Sequence, residues 1–178
     1  MPFSTDTAHL LAESLVEAFF KDSEGDWQSE RRYYTLKSGE TQQVVSQIQI
    51  RFLPEGSEEL IHLAGLHELR SQEPLVCGAK VTWASDYIDS SKKTVEGSTV
   101  FGVRGSTLFR DRGFATSKPV TAYYLFPDPR TMRLRTEYQG SAFEEEIKLI
   151  GKQYRTRQTI ISRAGEEIMI GQYLEKRL

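Results

Sequence analysis

The sequence predicts an all-β protein: an up-and-down antiparallel barrel of about ten strands, with an amino-terminal helix and one short additional helix. Three observations predict it. Short runs rich in Val, Ile, Thr, Tyr and Phe recur along the chain with side chains alternating in polarity, the period of a half-buried strand. Turn signals such as "PDPR" (127–130) and "RAGE" (163–166) punctuate them at regular spacing. Only two stretches carry helical spacing instead. Sequential short strands remove their edges by closing, and a barrel of this strand number has room for one small ligand. A two-sheet sandwich is the alternative that the same pattern allows. With no internal repeat, low-complexity tract or linker, one domain is expected over 1–178.

The elements follow in order. "TDTAHLLAESLVEAFFKDSEG" reads as a helix over about residues 6–22, with Thr5 or Asp6 as cap, Leu11, Leu15, Ala18 and Phe19 at helical spacing, and Gly25 past its end. "GDWQSERRYYTL" (25–36) and "VVSQIQIRFL" (44–53) read as the first strands; the second sets Ile48, Ile50 and Phe52 against Gln47, Gln49 and Arg51. "SEELIHLAGLHELR" (57–70) reads as the second helix, capped by Ser57, with Glu58 and Glu59 at the positive end of its dipole. The remaining strands are "LVCGAKVTWAS", "EGSTVFGVRG", "STLFRDRG", "PVTAYYLFPD", "TMRLRTEYQG", "AFEEEIKLIG", "QYRTRQTIIS" and "EEIMIGQYLEK".

Composition excludes several classes. The chain has 23 basic and 25 acidic residues, a balance that leaves no electrostatic footprint for nucleic acid or an anionic membrane. A single cysteine, Cys77, cannot form an intramolecular disulfide and fits a reducing compartment. No secretory segment opens the sequence and no apolar run reaches the roughly 20 residues of a membrane span, so the cytoplasm or a plastid stroma is the expected setting. His62 and His67 are five apart and would not share a helical face; with His9 they read as structural or surface residues, and no metal site is expected.

Charge on the strands raises a sharper question. Arg155, Arg157, Thr159 and Ile161 share one face; Arg133, Arg135 and Glu137 share another, opposite Met132, Leu134, Thr136 and Tyr138. One reading is a solvated exterior laced with cross-strand Glu–Arg pairs. Glu145 resists that reading, because its face-mates Phe143, Ile147 and Leu149 are apolar and a carboxylate among them must be paired. The other reading is a cavity for an elongated, conjugated ligand with anionic ends, stacked on Trp27 and Trp83 and clamped by arginine forks. In "GDWQSERRYYTL" the Trp27, Ser29, Arg31, Tyr33 face is either a solvated exterior or the wall of a cavity that needs both an aromatic ring and a positive charge. Gly25-x-Trp27 also resembles the calycin signature, in which the tryptophan packs beneath the barrel against a late arginine; Arg177 or a neighbour would be that partner.

"GDWQSERRYYTL", "VCGAKVTW", "VEGSTVF", "RGFA", "TEY", "QYRTRQT" and the terminal "YLEKR", in this order and spacing, resemble the CpcS/CpeS-type phycobiliprotein (bilin) lyases from about Phe19 to Leu178. The resemblance implies a calycin- or lipocalin-like ten-stranded barrel that binds a linear tetrapyrrole, phycocyanobilin or phycoerythrobilin, without a covalent bond. It implies transfer of that bilin to a cysteine of an apo-phycobiliprotein alpha or beta subunit as a thioether, with the bilin as substrate and no tightly bound cofactor. Arg31, Arg155 and Arg157 match the family's basic positions and would hold propionates or ring carbonyls. Glu137, Glu145 and Glu175 match its carboxylates and would accept pyrrole N–H bonds or supply a proton. Trp83 and Tyr138 match pocket aromatics, and Cys77 is expected to be a non-nucleophilic strand residue.

The match has departures. Tyr34 and Thr35 stand where many members carry a histidine pair; Lys148 replaces a tryptophan and Glu146 an arginine; a second tryptophan after Trp83 is missing. A homodimer, or a heterodimer with a related lyase subunit, is therefore an expected assembly. A non-catalytic bilin carrier and a calycin-like binder of another apolar ligand are the competing functional readings.

Overall fold

The computed structural model describes residues 5–89 and 91–178. Helix α1 (Thr5–Ser23) leads into β1 (Gly25–Thr35) and β2 (Thr41–Pro54), and α2 (Glu58–Leu66) precedes β3 (Cys77–Tyr87). Strands β4 (Val95–Arg104), β5 (Thr107–Arg110), β6 (Val120–Asp128), β7 (Thr131–Tyr138), β8 (Ser141–Ile150), β9 (Tyr154–Arg163) and β10 (Glu166–Arg177) complete the chain. Each strand pairs antiparallel with the next, and β1 pairs with β10 to close a ten-stranded barrel. Closure, not a sandwich, disposes of the sheet edges.

Helix α1 plugs one end of the barrel. Val16, Phe19 and Phe20 are buried against Ile48, Ile50, Cys77, Val103, Tyr124 and Met132 from five strands. Trp27 is wholly buried at that end: its Nε1 donates to the Ser23 carbonyl at 2.9 Å, and the Arg177 guanidinium carbon lies 4.3 Å from the indole centroid. Arg177 also donates to the Asp22 and Glu24 carbonyls at the end of α1 and to the Lys152 carbonyl. Those helix-end carbonyls have no intrahelical donor, so one guanidinium caps α1 and stacks on Trp27 together. Gly25, at φ +133°, holds a backbone conformation that suits glycine, and a Cβ there would strike Arg177. Glu13 accepts from the Gly105 amide at 2.7 Å and Asp22 pairs with Arg130 at 3.0 Å, fixing the helix to the β4–β5 and β6–β7 turns.

A smaller core lies outside the barrel, where Leu60 and Leu63 of α2 pack with Leu53 and Leu75. This helix is shorter than the expected 57–70 segment. Glu68 takes a left-handed φ of +54° and the Leu69 amide bonds back to the Ala64 carbonyl, so the chain turns after His67. Ser57 occupies the N-cap position without a side-chain cap bond. Strand β5 is cut to four residues because Asp111 turns its carboxylate onto the Thr99 hydroxyl and the Val100 amide, substituting for further ladder bonds.

Removing the indole should be severe: Trp27→Ala is expected to cost about 3–5 kcal/mol in urea unfolding, the range for large aromatic truncations. A loss below about 1 kcal/mol would mean that the barrel end holds without it.

Candidate functional site

The end opposite α1 opens onto a cavity of about 230 Å³ inside the barrel. Its floor is apolar, made by Phe19, Phe20, Ile48, Ile50 and Ala79. One wall is a ladder of charge. In register across β1, β10 and β9, inward side chains stack in three rows: Ser29–Glu175–Arg155, then Arg31–Tyr173–Arg157, then Tyr33–Gly171–Thr159 nearer the mouth. Side chains two apart on a strand share a face, so the alternation in "SERRY", "YRTRQT" and "GQYLE" builds this wall once the three strands pair.

Glu175 is fully buried, with its Oε1 accepting from Arg155 Nε and Nη2 at 2.8 Å each. Burial alone would raise its pKa, but the Arg155 and Arg157 charges, with a Ser29 hydrogen bond, outweigh that and hold it at about 2. Glu175 is therefore a fixed anion at neutral pH. Burial opposes the Arg157 charge, yet Glu175 and Glu145 keep this guanidinium firmly protonated. Its Nε is buried with no hydrogen-bond partner among the described residues, as is Arg110 Nε across the cavity. A buried donor without an acceptor is costly.

The facing wall holds Glu145 of β8 and Arg110 of β5, both buried, with Glu145 Oε2 3.8 Å from Arg110 Nη1. The Arg110 guanidinium lies against Phe101 and Phe114, 4.9 and 4.6 Å from their centroids. Phe143 stacks on Phe114 and on Tyr138, at 4.8 and 4.9 Å. Trp83 lines the cavity over Gly97, where any Cβ would overlap the indole.

Of the residues singled out from the sequence, Arg31, Trp83, Glu145, Arg155 and Arg157 line the cavity together, and Glu175 stands beside Arg155 in the lowest row of the wall. Trp27 lies below the floor, between Arg177 and Arg155. Tyr138 belongs to the aromatic stack at the rim, and its hydroxyl accepts from the Ala115 amide at 2.8 Å. Glu137 is a correction: it projects to the exterior and pairs with Arg135 at 2.6 Å. Its parity with Arg133 and Arg135 puts it on the solvent face, because Met132, Leu134 and Thr136 take the core side. Arg110 and Tyr173 were missed. Strand β5 is too short for alternation to show its inward face, and Tyr173 shares a parity with Glu175 that was legible but unused. Cys77 is wholly buried below the cavity, and burial pushes its thiol up to about 12. Among the described residues no group of three potential metal ligands occurs, and no helix is long and apolar enough to cross a membrane.

A depressed carboxylate pKa stabilises the fold above its unfolded value and loses that contribution as pH falls through the folded one. Glu175 should contribute about 3 kcal/mol at neutral pH, lost between about pH 5 and pH 2. Unfolding midpoints of Glu175→Gln are expected to fall less steeply over that window than those of the parent protein. Parallel slopes would mean that other carboxylates carry the acid sensitivity.

Comparison with known proteins agrees with this architecture. A Nostoc sp. protein provisionally named phycocyanobilin lyase CpcS 2 is 60% identical over 166 residues, covering 93% of this chain and 92% of its own. A Picosynechococcus sp. protein provisionally named chromophore lyase CpcV is 48% identical over 178 residues, covering 98% and 88%. The solved structure of the S-type phycobiliprotein lyase CPES from Guillardia theta shares the fold, with a TM-score of 0.77 at 21% identity over 96% of this chain and 97% of that one. A family model described as CpeS-like protein matches residues 15–178. On this match and the 60% identity to a relative of nearly equal extent, the chain belongs to the CpeS-like protein family.

Proposed function

We propose that this protein binds a linear tetrapyrrole in the barrel and attaches it to a cysteine of a phycobiliprotein alpha or beta subunit. The observation that carries this reading is the charge imbalance of an otherwise aromatic and apolar cavity. Arg31, Arg110, Arg112, Arg155 and Arg157 line it against a single lining carboxylate, Glu145. Counting the buried Glu175 beneath, five cations face two anions, an excess of three positive charges (5 − 2). A conjugated tetrapyrrole with two propionates supplies flat apolar surface for Trp83 and Phe114 and carboxylates for the guanidinium forks. A fatty acid offers only one anionic end and leaves most of that charge unmatched.

The size of the cavity bears on the reaction. At about 230 Å³ it is smaller than the roughly 300–1,000 Å³ that encloses a drug-sized ligand. Part of a four-ring chromophore therefore projects through the mouth, where a thiol on another folded protein can meet it. The thiol adds across the exocyclic ethylidene double bond of ring A; a carbon–sulfur bond forms, and the thiol hydrogen is balanced by a proton placed on the tetrapyrrole. No electron is gained or lost. The nucleophile comes from the acceptor, since Cys77 is buried below the floor as a protonated thiol. The barrel supplies orientation and a dry environment for the reactive group. Glu175, held as an anion, fixes Arg155, and in this reading Glu145, the one carboxylate lining the cavity, exchanges a proton with the ligand. The setting that fits is the cytoplasm of a cyanobacterial cell or a plastid stroma.

Absorbance of the purified protein mixed with phycocyanobilin, then with phycoerythrobilin, is expected to sharpen and shift to the red. Addition of an apo-phycobiliprotein subunit should render the colour covalent and stable to acid-urea. A shifted band that never becomes covalent on any subunit, even with a second family member added, would overturn the transferase reading in favour of a carrier. Glu145→Gln should slow single-turnover attachment by about a hundredfold with affinity changed less than about threefold. Equal losses in both would assign Glu145 to binding alone. Cys77→Ser should transfer bilin at the parent rate, and a folded but inactive variant would bring the thiol into the chemistry.

A further inference from the structure

The central row of the charged wall holds an arrangement that the reaction itself does not explain. Tyr173 stands between Arg31 and Arg157 in the ladder, on β10 between β1 and β9. The Arg157 guanidinium carbon lies 4.3 Å from its ring centroid and that of Arg31 5.4 Å. Tyr33 meets the same ring edge-on at 5.8 Å and 89°.

Glycine at 171 makes this pose possible. Gly171 is the inward neighbour of Tyr173 on β10, and a Cβ built there would lie 2.9 Å from the phenol oxygen and 3.1–3.2 Å from two ring carbons. Its φ is not in the left-handed region, so the backbone does not demand glycine; the ring leaning over it does. Beneath the row lies Glu175, the buried carboxylate to which both arginines are drawn. Without a ring between them, two guanidiniums this close to one anion would converge on it. With the ring, each is held by cation–π attraction on its own strand, two interstrand spacings or about 9–10 Å apart at the backbone.

We infer that Tyr173, seated over Gly171, is a positioning residue that keeps Arg31 and Arg157 as two separate carboxylate-binding points and so selects tetrapyrroles with both propionates ionised. This rests on the proposed function, in which those arginines hold the propionates. Tyr173 acts through the arginines and is assigned no proton transfer.

The test compares affinity for phycocyanobilin as the free acid and as its dimethyl ester, by absorbance titration at fixed pH and salt. The parent protein should prefer the free acid. Tyr173→Phe, which keeps the ring, should retain that preference; Tyr173→Leu and Gly171→Ala should each reduce it by about tenfold. A general packing defect weakens acid and ester alike and leaves their ratio intact. If Tyr173→Leu does not fold, Gly171→Ala still reads the clamp, because it displaces the ring without removing it. A parent protein that does not distinguish acid from ester would overturn the propionate reading and this inference with it. A parent that does distinguish them, beside folded Gly171→Ala or Tyr173→Leu with the same ratio, would overturn the inference alone and leave the function standing.

Discussion

The stack of Arg177 on Trp27 ties together the parts on which everything else depends. It joins the first strand to the last, where the barrel closes, and the same guanidinium caps the helix that seals the end. A barrel without a seal is a water-filled tube, and charges inside it are screened. Once α1 brings Phe19 and Phe20 into that end, the interior splits into a dry core below and a pocket above. Arg155 completes the connection, since its guanidinium lies 5.1 Å over the other partner of the stack, Trp27, while its nitrogens hold Glu175. The structural signature and the binding wall thus share one residue.

Burying several charges in that pocket is unfavourable unless they are paired, and pairing alone roughly cancels the desolvation cost. The distribution here is lopsided. Glu175 is paired with Arg155 through Oε1 alone, while Arg110 and Arg157 each keep a buried Nε without an acceptor among the described residues. An arrangement tuned for stability alone would have matched the charges or replaced them by hydrocarbon. The surplus is better understood as binding energy held in reserve for an anion, with the aromatic stack of Phe114, Phe143 and Tyr138 providing the flat surface beside it.

The same geometry divides labour between this protein and its acceptor. The only thiol of the chain is locked below the cavity floor, so the reacting sulfur must arrive from outside, through the open end. The arginine-rich cavity opens toward that side. The exterior ladder, where Arg133 meets Glu146 and Arg135 meets Glu137 and Glu144, is an ordinary solvated surface of paired charges and takes no part in the cavity.

Period-two alternation makes the ten strands legible in the sequence, puts Arg155 and Arg157 on one face and sets Glu145 among apolar neighbours. The Gly25-x-Trp27 pattern pointed to a structural tryptophan and its late arginine. Alternation sorts residues onto two faces without saying which face is inside, and Glu137 shows the consequence: its family match suggested the pocket, its parity with Arg133 and Arg135 put it in solvent. Arg110 was hidden by a strand of four residues, and α2 ended early because Glu68 turned left-handed after it. The rows themselves, Ser29–Glu175–Arg155 and Arg31–Tyr173–Arg157, join residues well over a hundred positions apart. Local sequence specifies which side chains a strand can offer; only closure of β1 onto β10 decides which of them meet, because hydrogen-bond register is a property of the pair and not of either strand.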